Sequence, residues 1–319
     1  MRVLVTGATG FVGSALINQL GNDAQFNVRA AMRREVHDLP QNIEHAVVGD
    51  FGPDVVWQTA LAGVDVIVHL AGRVHIMRDK ANDPITEFRR VNVNGTSNLV
   101  KQAVEAGVRR FVFLSSVKVN GEGCEKPYTE TDPPQPFNPY AQSKWEAERE
   151  LASVCHRAEL EVVILRPPLV YGPGVKANFL TLLHAVYRGI PLPFAAVNNR
   201  RSLVSIHNLV DVIIRCIKHP LAAGETFLVS DDEDLSTREL IRRLAAAMDR
   251  KPRLFSIPPL VGESALKLVG REDIWQRLFG SLQVSCDKAK SLIGWQPPVS
   301  LSEGLEEVSH WYMETKVRR

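Results

Sequence analysis

The sequence predicts an α/β fold: a Rossmann-type, doubly wound parallel sheet with a smaller, discontinuous C-terminal lobe. Three observations carry this. Short apolar runs alternate with helical stretches through the first half of the 319 residues, which is the pattern of βαβ units. The opening run Arg2-Val3-Leu4-Val5 leads directly into Thr6-Gly7-Ala8-Thr9-Gly10-Phe11-Val12-Gly13, and helical spacing follows to Leu20. Gly7, Ala71 and Ser116 each fall just after an expected strand, where the ligand of an open α/β sheet lies.

The strands expected are 3–5, 28–32, 43–48, 64–70, 110–115 and 162–166, with helices at 11–20, 57–61, 85–106 and 140–152. The last of these begins clearly. Asn138 can cap it, Pro139 suits the first turn, and Ala, Glu and Arg follow. After Tyr171 the pattern changes. A helix and a Pro-rich turn occupy 175–194, a helix 205–217, a strand 225–229 and an amphipathic helix 235–248. Residues 250–319 read as Pro, Gly and short helices. The expected division is residues 1–170 plus about 204–230 for a dinucleotide-binding domain, and about 171–203 plus 231–319 for a substrate lobe.

Composition narrows the function classes. Hydrophobic content of 45% and charged content of 23% are ordinary for a globular chain. A net charge of +2 points to neither nucleic acid nor an anionic membrane as partner. No run of about 18 apolar residues predicts a membrane span, and the amino terminus enters a strand without a secretory signal. Cys124, Cys155, Cys216 and Cys286 are scattered, with neither metal spacing nor a disulfide framework. They read as reduced thiols of a cytoplasmic protein, and no metal is expected.

Two motifs bear chemistry. Glycines permit a tight turn and close approach of the backbone to a pyrophosphate, and a helix start offers N–H groups and a positive dipole end. Gly7, Gly10 and Gly13, with Thr9, Phe11 and Val12 between them, sit between strand and helix as that mechanism requires. The spacing is G-x-x-G-x-x-G. The second motif is Tyr140-Ala141-Gln142-Ser143-Lys144. Positions four apart share a helix face, so a cation should favour the phenolate of a group whose reference pKa is about 10.

Together these features resemble the short-chain dehydrogenase/reductase superfamily, in its extended branch of nucleotide-sugar epimerases, dehydratases and reductases. The resemblance covers nearly the whole chain. It implies that the glycine loop holds NAD(P) and that Tyr140 and Lys144 act with a Ser. In Leu114-Ser115-Ser116-Val117-Lys118-Val119-Asn120-Gly121 the catalytic position is Ser116, and Ser115 is structural. Further cofactor positions implied are Asp50, for adenine, with Phe51 beside it; Leu70, Ala71 and Gly72 beneath the ribose; Asn92, supporting the site; and Pro167, at the handover to the substrate lobe. Substrate contacts implied are Lys118, Asn178, Arg201 and Arg271, with Arg200 beside them; Lys118 suits a strand-end salt bridge equally well. A homodimer through helices 85–106 and 140–152 is also implied, with a monomer as the alternative.

The second strand ends in Arg33 and Arg34, not in an acid. A guanidinium pairs with a ribose phosphate better than with a diol, so NADP is expected over NAD; the alternative has Glu35 serving the ribose. Val117 and Lys118 replace the Asp-Glu pair typical of dehydratases, and Lys118 and Asn120 replace the Thr and Tyr typical of epimerases. The leaning is therefore to a reductase similar to those that reduce a UDP-4-keto-6-deoxy-N-acetylhexosamine. A UDP-hexose 4-epimerase with bound NAD is the alternative, and a non-catalytic NADP-binding sensor a remoter one.

Overall fold

The computed structural model describes residues 1–36, 39–74, 83–155, 159–257 and 279–317. The strands are β1 Arg2–Thr6, β2 Asn27–Met32, β3 Glu44–Val47, β4 Val66–His69, β5 Arg110–Leu114, β6 Glu161–Arg166, β7 Leu169–Tyr171, β8 Arg201–Ser205, β9 Thr226–Leu228 and β10 Asp234–Leu235. The helices are α1 Phe11–Gly21, α2 Gln58–Leu61, α3 Pro84–Phe88, α4 Gly95–Glu105, α5 Pro139–Cys155, α6 Ala177–Tyr187, α7 Ile206–Lys218, α8 Thr237–Ala247, α9 Asp287–Ile293 and α10 Leu301–Val317.

Seven strands form one sheet in the order β3-β2-β1-β4-β5-β6-β9, and every pairing is parallel. This is the doubly wound order, with its topological switch between β1 and β4. Alternation along β1 shows why helices cover both faces. Val3 and Val5 join Leu16, Ile17 and Leu20 of α1 and Leu209 and Ile213 of α7. Leu4, between them, joins Leu99 of α4 and Leu151 of α5. Successive strand side chains point to opposite faces, and each such side chain fully buried contributes about 1.5–3 kcal/mol.

Strands β7, β8 and β10 form a separate three-stranded sheet. Beside it lies a third core, in which Tyr171, Phe179, Leu183, Ile241, Leu244 and Tyr312 pack together. None of these three is among the expected strands. Two other expectations need correction. The helix expected at 85–106 is α3, then a stretch of π-helix Arg89–Asn94, then α4. The widened turns carry Asn92 inward, where it is buried and hydrogen-bonded. Such bulges recur at functional sites. The carboxyl end is not only short helices, because α10 has 17 residues. Its Leu301, Leu305, Val308 and Tyr312 are buried at helical spacing.

Candidate active site

The switch point is built by close approach. The chain leaves β1 at Gly7 with φ +68°, and a Cβ there would stand 2.7 Å from the Ala71 nitrogen. A Cβ on Gly13 would stand 2.1 Å from the Gly7 carbonyl oxygen. Only glycine lets the end of β1, the end of β4 and the start of α1 meet so tightly. Gly10 N-caps α1 and no side chain among the described residues caps that helix end by a hydrogen bond, so its first-turn N–H groups remain available to an anion. Thr9 and Gly10 are exposed, while Phe11 and Val12 are half-buried. This cradle fits the diphosphate of a dinucleotide. At the end of β2, Arg33 is exposed and stands 4.0 Å from the Asp50 carboxylate. Phe51 is a core residue, buried against Trp57 at 5.7 Å and His69 at 5.0 Å between ring centres.

A buried hydrogen-bonded chain fixes the end of β4. The Ala71 N–H donates to Thr6 Oγ1 (3.1 Å), and Thr6 Oγ1 lies 2.6 Å from His69 Nδ1. His69 Nε2 lies 3.0 Å from Thr96 Oγ1, which donates its proton to the Asn92 carbonyl (2.7 Å). Thr96 has one proton and uses it there, so it accepts from His69 Nε2–H; Nδ1 then accepts from Thr6. That tautomer is a neutral imidazole. Burial, and secondly the charge of Lys144, hold the His69 pKa well below its ordinary value. The Asn92 amide also donates to Ser143 Oγ (2.9 Å) and to the Arg73 carbonyl (3.0 Å), joining the π-helical stretch to α5 and to the loop after Gly72.

Helix α5 presents Tyr140, Lys144 and Glu148 on one face. The Tyr140 ring meets Phe88 edge-on at 6.2 Å. Tyr140 is half-buried by surface, yet its hydroxyl lies deep enough that burial pushes its pKa up to about 12, while a hydrogen bond with the Ser116 hydroxyl pulls the other way. Lys144 is buried. Its Nζ donates to the Leu114 carbonyl at 2.8 Å and stands 4.5 Å over the Phe113 ring. A Cβ on Gly72 would lie 3.5 Å from that nitrogen. Helical spacing alone places the ammonium against the phenol. In the structure it is turned to the end of β5 and to Gly72, and the group that lowers the Tyr140 pKa is Ser116.

Burial draws the Lys144 pKa down from 10.5 to about 8, with Glu148 opposing it. Holding this ammonium therefore costs on the order of 3 kcal/mol at neutral pH. The unfolded chain binds the extra proton between about 8 and 10.5, so stability should rise with pH across that window. Lys144→Met is expected to flatten this rise in denaturant-unfolding measurements. An unchanged slope would show that the ammonium is not desolvated.

Beneath Lys144, Ser115 Oγ donates to Glu148 Oε1 (2.5 Å), and Arg166 donates to both Glu148 oxygens (3.0 and 2.5 Å) and to Asn120 Oδ1 (3.1 Å). Sequence reasoning passes over Glu148. Its one signal is the spacing, a further turn beyond Lys144. Pro167 is buried and its carbonyl accepts the Val117 N–H at 3.0 Å, which sets the end of β6 beside Ser116.

The substrate-side residues are less gathered. Lys118 Nζ bonds Glu122 Oε1 at 3.0 Å, as in the salt-bridge alternative. Arg201 donates to the Gly280 carbonyl at 3.0 Å, and burial lowers its pKa. Asn178 and Arg200 are exposed. Arg271 lies outside the described residues. Cys124, Cys216 and Cys286 are free thiols. No helix among the described residues is long and apolar enough to cross a membrane.

Comparison with known proteins agrees with this geometry. Residues 3–230 match the NAD dependent epimerase/dehydratase family. A UDP-glucose 4-epimerase of Vibrio cholerae is 44% identical, covering 99% of this chain and 97% of its own. The N-acetyl-alpha-D-glucosaminyl-diphospho-ditrans,octacis-undecaprenol 4-epimerase of Escherichia coli O157:H7 is 29% identical, covering 96% and 93%. The solved structure of MoeE5 in complex with UDP-glucuronic acid and NAD superposes with a TM-score of 0.80 at 26% identity, covering 99% of this chain and 100% of its own. With its glycine cradle at the switch point and Ser116, Tyr140 and Lys144 beside it, this chain belongs to the NAD-dependent epimerase/dehydratase family of enzymes, the extended branch of the short-chain dehydrogenases/reductases.

Proposed function

We propose that this enzyme is a nucleotide-sugar 4-epimerase that interconverts UDP-hexoses with NAD as its cofactor. The observation that carries the reading is the glycine cradle at the switch point, with buried Lys144 reaching Gly72 beside it and Tyr140 one turn before Lys144 on α5, in a chain 44% identical to a UDP-glucose 4-epimerase along nearly its whole length. Gly7, Gly10 and Gly13 hold the diphosphate of the cofactor, and Ala71, Gly72 and Lys144 flank its nicotinamide ribose. NAD, when bound there, would supply a hydride acceptor and donor for C4 of the sugar. Tyr140 removes the O4 proton as the hydride leaves and gives it back on return, which is general acid–base work. Ser116 orients O4, and Lys144, held at the end of β5 and beside Gly72, directs its positive charge to the nicotinamide ribose. The lobe formed by about 171–203 and 231–319 holds the nucleotide, with Asn178, Arg201 and Arg271 toward the diphosphate. Helices α4 and α5 are the proposed homodimer face.

The choice of NAD over NADP rests on Asp50. Arg33 stands 4.0 Å from that carboxylate, which partly satisfies its charge and would repel a ribose phosphate. The solved MoeE5 complex also carries NAD. The reductase reading keeps one specific support, Lys118 and Asn120 in place of the Thr and Tyr usual in epimerases.

Incubation of the purified enzyme with UDP-glucose or UDP-N-acetylglucosamine and NAD is expected to yield the C4 epimer without accumulation of NADH. Absence of any epimer, together with steady consumption of NADPH and a UDP-4-keto-6-deoxy-hexosamine, would overturn the epimerase in favour of the reductase.

A further inference from the structure

We infer that Glu122 is a positioning residue for the reaction: one of its carboxylate oxygens ties the strand end that carries Ser116 to the cap of the helix that carries Tyr140. The inference rests on the roles given above to those two hydroxyls. Glu122 Oε1 accepts from Asn138 Nδ2 at 2.5 Å and from Lys118 Nζ at 3.0 Å. On the helix side, Asn138 accepts the Ala141 N–H through its side chain and the Gln142 N–H through its carbonyl, both at 2.9 Å. These are the two residues that follow Tyr140. On the strand side, the Lys118 N–H donates to Ser116 Oγ at 3.3 Å. Hydrogen bonds, bridged by the covalent side chain of Lys118, therefore join the Ser116 hydroxyl to the first turn of α5, and Glu122 is their centre.

The chemistry of the three groups explains the arrangement. An amide N–H and an ammonium both donate, and a carboxylate oxygen has lone pairs for both and strengthens each with its charge. The Glu122 side chain is only 10% exposed, so little water competes. Its charge also favours the charged form of Arg201, reaching from β8 of the small sheet. Glu122 thus sits where the Ser116 segment, the start of α5 and the substrate-side sheet converge. Asn138 alone would cap α5. What Glu122 adds is the relation between two segments separated by the loop from 121 to 137. Ser116 and Tyr140 must reach one substrate oxygen together, and a misplacement of about 1 Å costs about 10²-fold in rate.

The test uses the full chain with Glu122→Ala, Glu122→Gln and Asn138→Ser. Glu122→Ala and Asn138→Ser are expected to lower kcat by about 10- to 100-fold, with KM for the sugar and the affinity for NAD changed by less than about twofold. The amide oxygen that Glu122→Gln introduces would accept from the same two donors, so this variant should keep kcat within about threefold of wild type. Amide hydrogen exchange should quicken together at 117–122 and 139–143 in Glu122→Ala. A wild-type kcat in Glu122→Ala, a loss confined to KM, or faster exchange at 117–122 alone would each overturn the inference. If Glu122→Ala does not fold, Asn138→Ser decides, since its hydroxyl keeps the helix cap but cannot reach Glu122. The exchange measurement needs no sugar, so a wild-type enzyme inert toward every UDP-hexose would count against the proposed function and leave this inference to be decided on its own.

Discussion

Tyr140→Phe is expected to lower kcat by about 10²–10⁴-fold while the enzyme still binds its cofactor. The substitution removes one oxygen and keeps the ring that packs edge-on against Phe88. Only the hydroxyl bonded to Ser116 is lost. The elements proposed to grip the diphosphate of the dinucleotide lie elsewhere: the turn at Gly7, the contact of Gly13 with the Gly7 carbonyl, and the start of α1. Turnover and dinucleotide binding should therefore separate. Turnover is read from C4-epimer formation, and binding from a fluorescence titration with NADH. Because the proposed role of the oxygen is at the reacting atom, the loss should appear in kcat and not in KM. Full turnover in Tyr140→Phe would remove the phenol from the reaction. Absence of turnover in the wild type, with tight cofactor binding, would instead support a sensor.

Much of this site is legible from the sequence alone, and the reason is local. Glycines at a strand-to-helix turn, and a Tyr and a Lys one helical turn apart, are constrained by the backbone of a few consecutive residues. The sheet order follows similarly, since alternating strands and helices admit few parallel arrangements. What the sequence conceals depends on contacts between distant segments. Glu148 reads as one more charge on an exposed helix until Arg166 and Ser115 are seen to close around it. Phe51 reads as a cofactor neighbour, and only the structure shows that its ring also packs edge-on against Trp57 and tilted against His69 in the core. The helix expected across 85–106 has unbroken periodicity, and nothing local announces the π-helical turns that bring Asn92 onto Ser143. The ammonium of Lys144 is expected against the phenol, because spacing gives the shared face but not the rotamer that reaches the Leu114 carbonyl.

Glu148→Ala is expected to destabilise the fold by about 3–5 kcal/mol, because it leaves Arg166 charged and buried without its partner. At a few degrees per kcal/mol, that is a fall in Tm of roughly 5–15 °C in calorimetry. Both residues are almost wholly enclosed, at 2% and 4% exposure, so water cannot take the place of the lost carboxylate. Arg166→Ala should cost a similar amount for the converse reason. The paired substitution Glu148→Leu with Arg166→Met removes both charges and is expected to recover most of the Tm, since a buried ion pair often contributes little beyond an apolar replacement of the same size. Activity should not return with it. Ser115 would lose the acceptor of its hydroxyl, Asn120 would lose the guanidinium that fixes its side chain, and Ser116 lies between the two along the chain. A double variant that regains stability and remains slow would show that the pair exists to set the strand end that carries Ser116. A double variant that regains both would mean the pair serves packing alone. A double variant as unstable as either single one would mean that the shape of the pair, and not its charge balance, supports the fold.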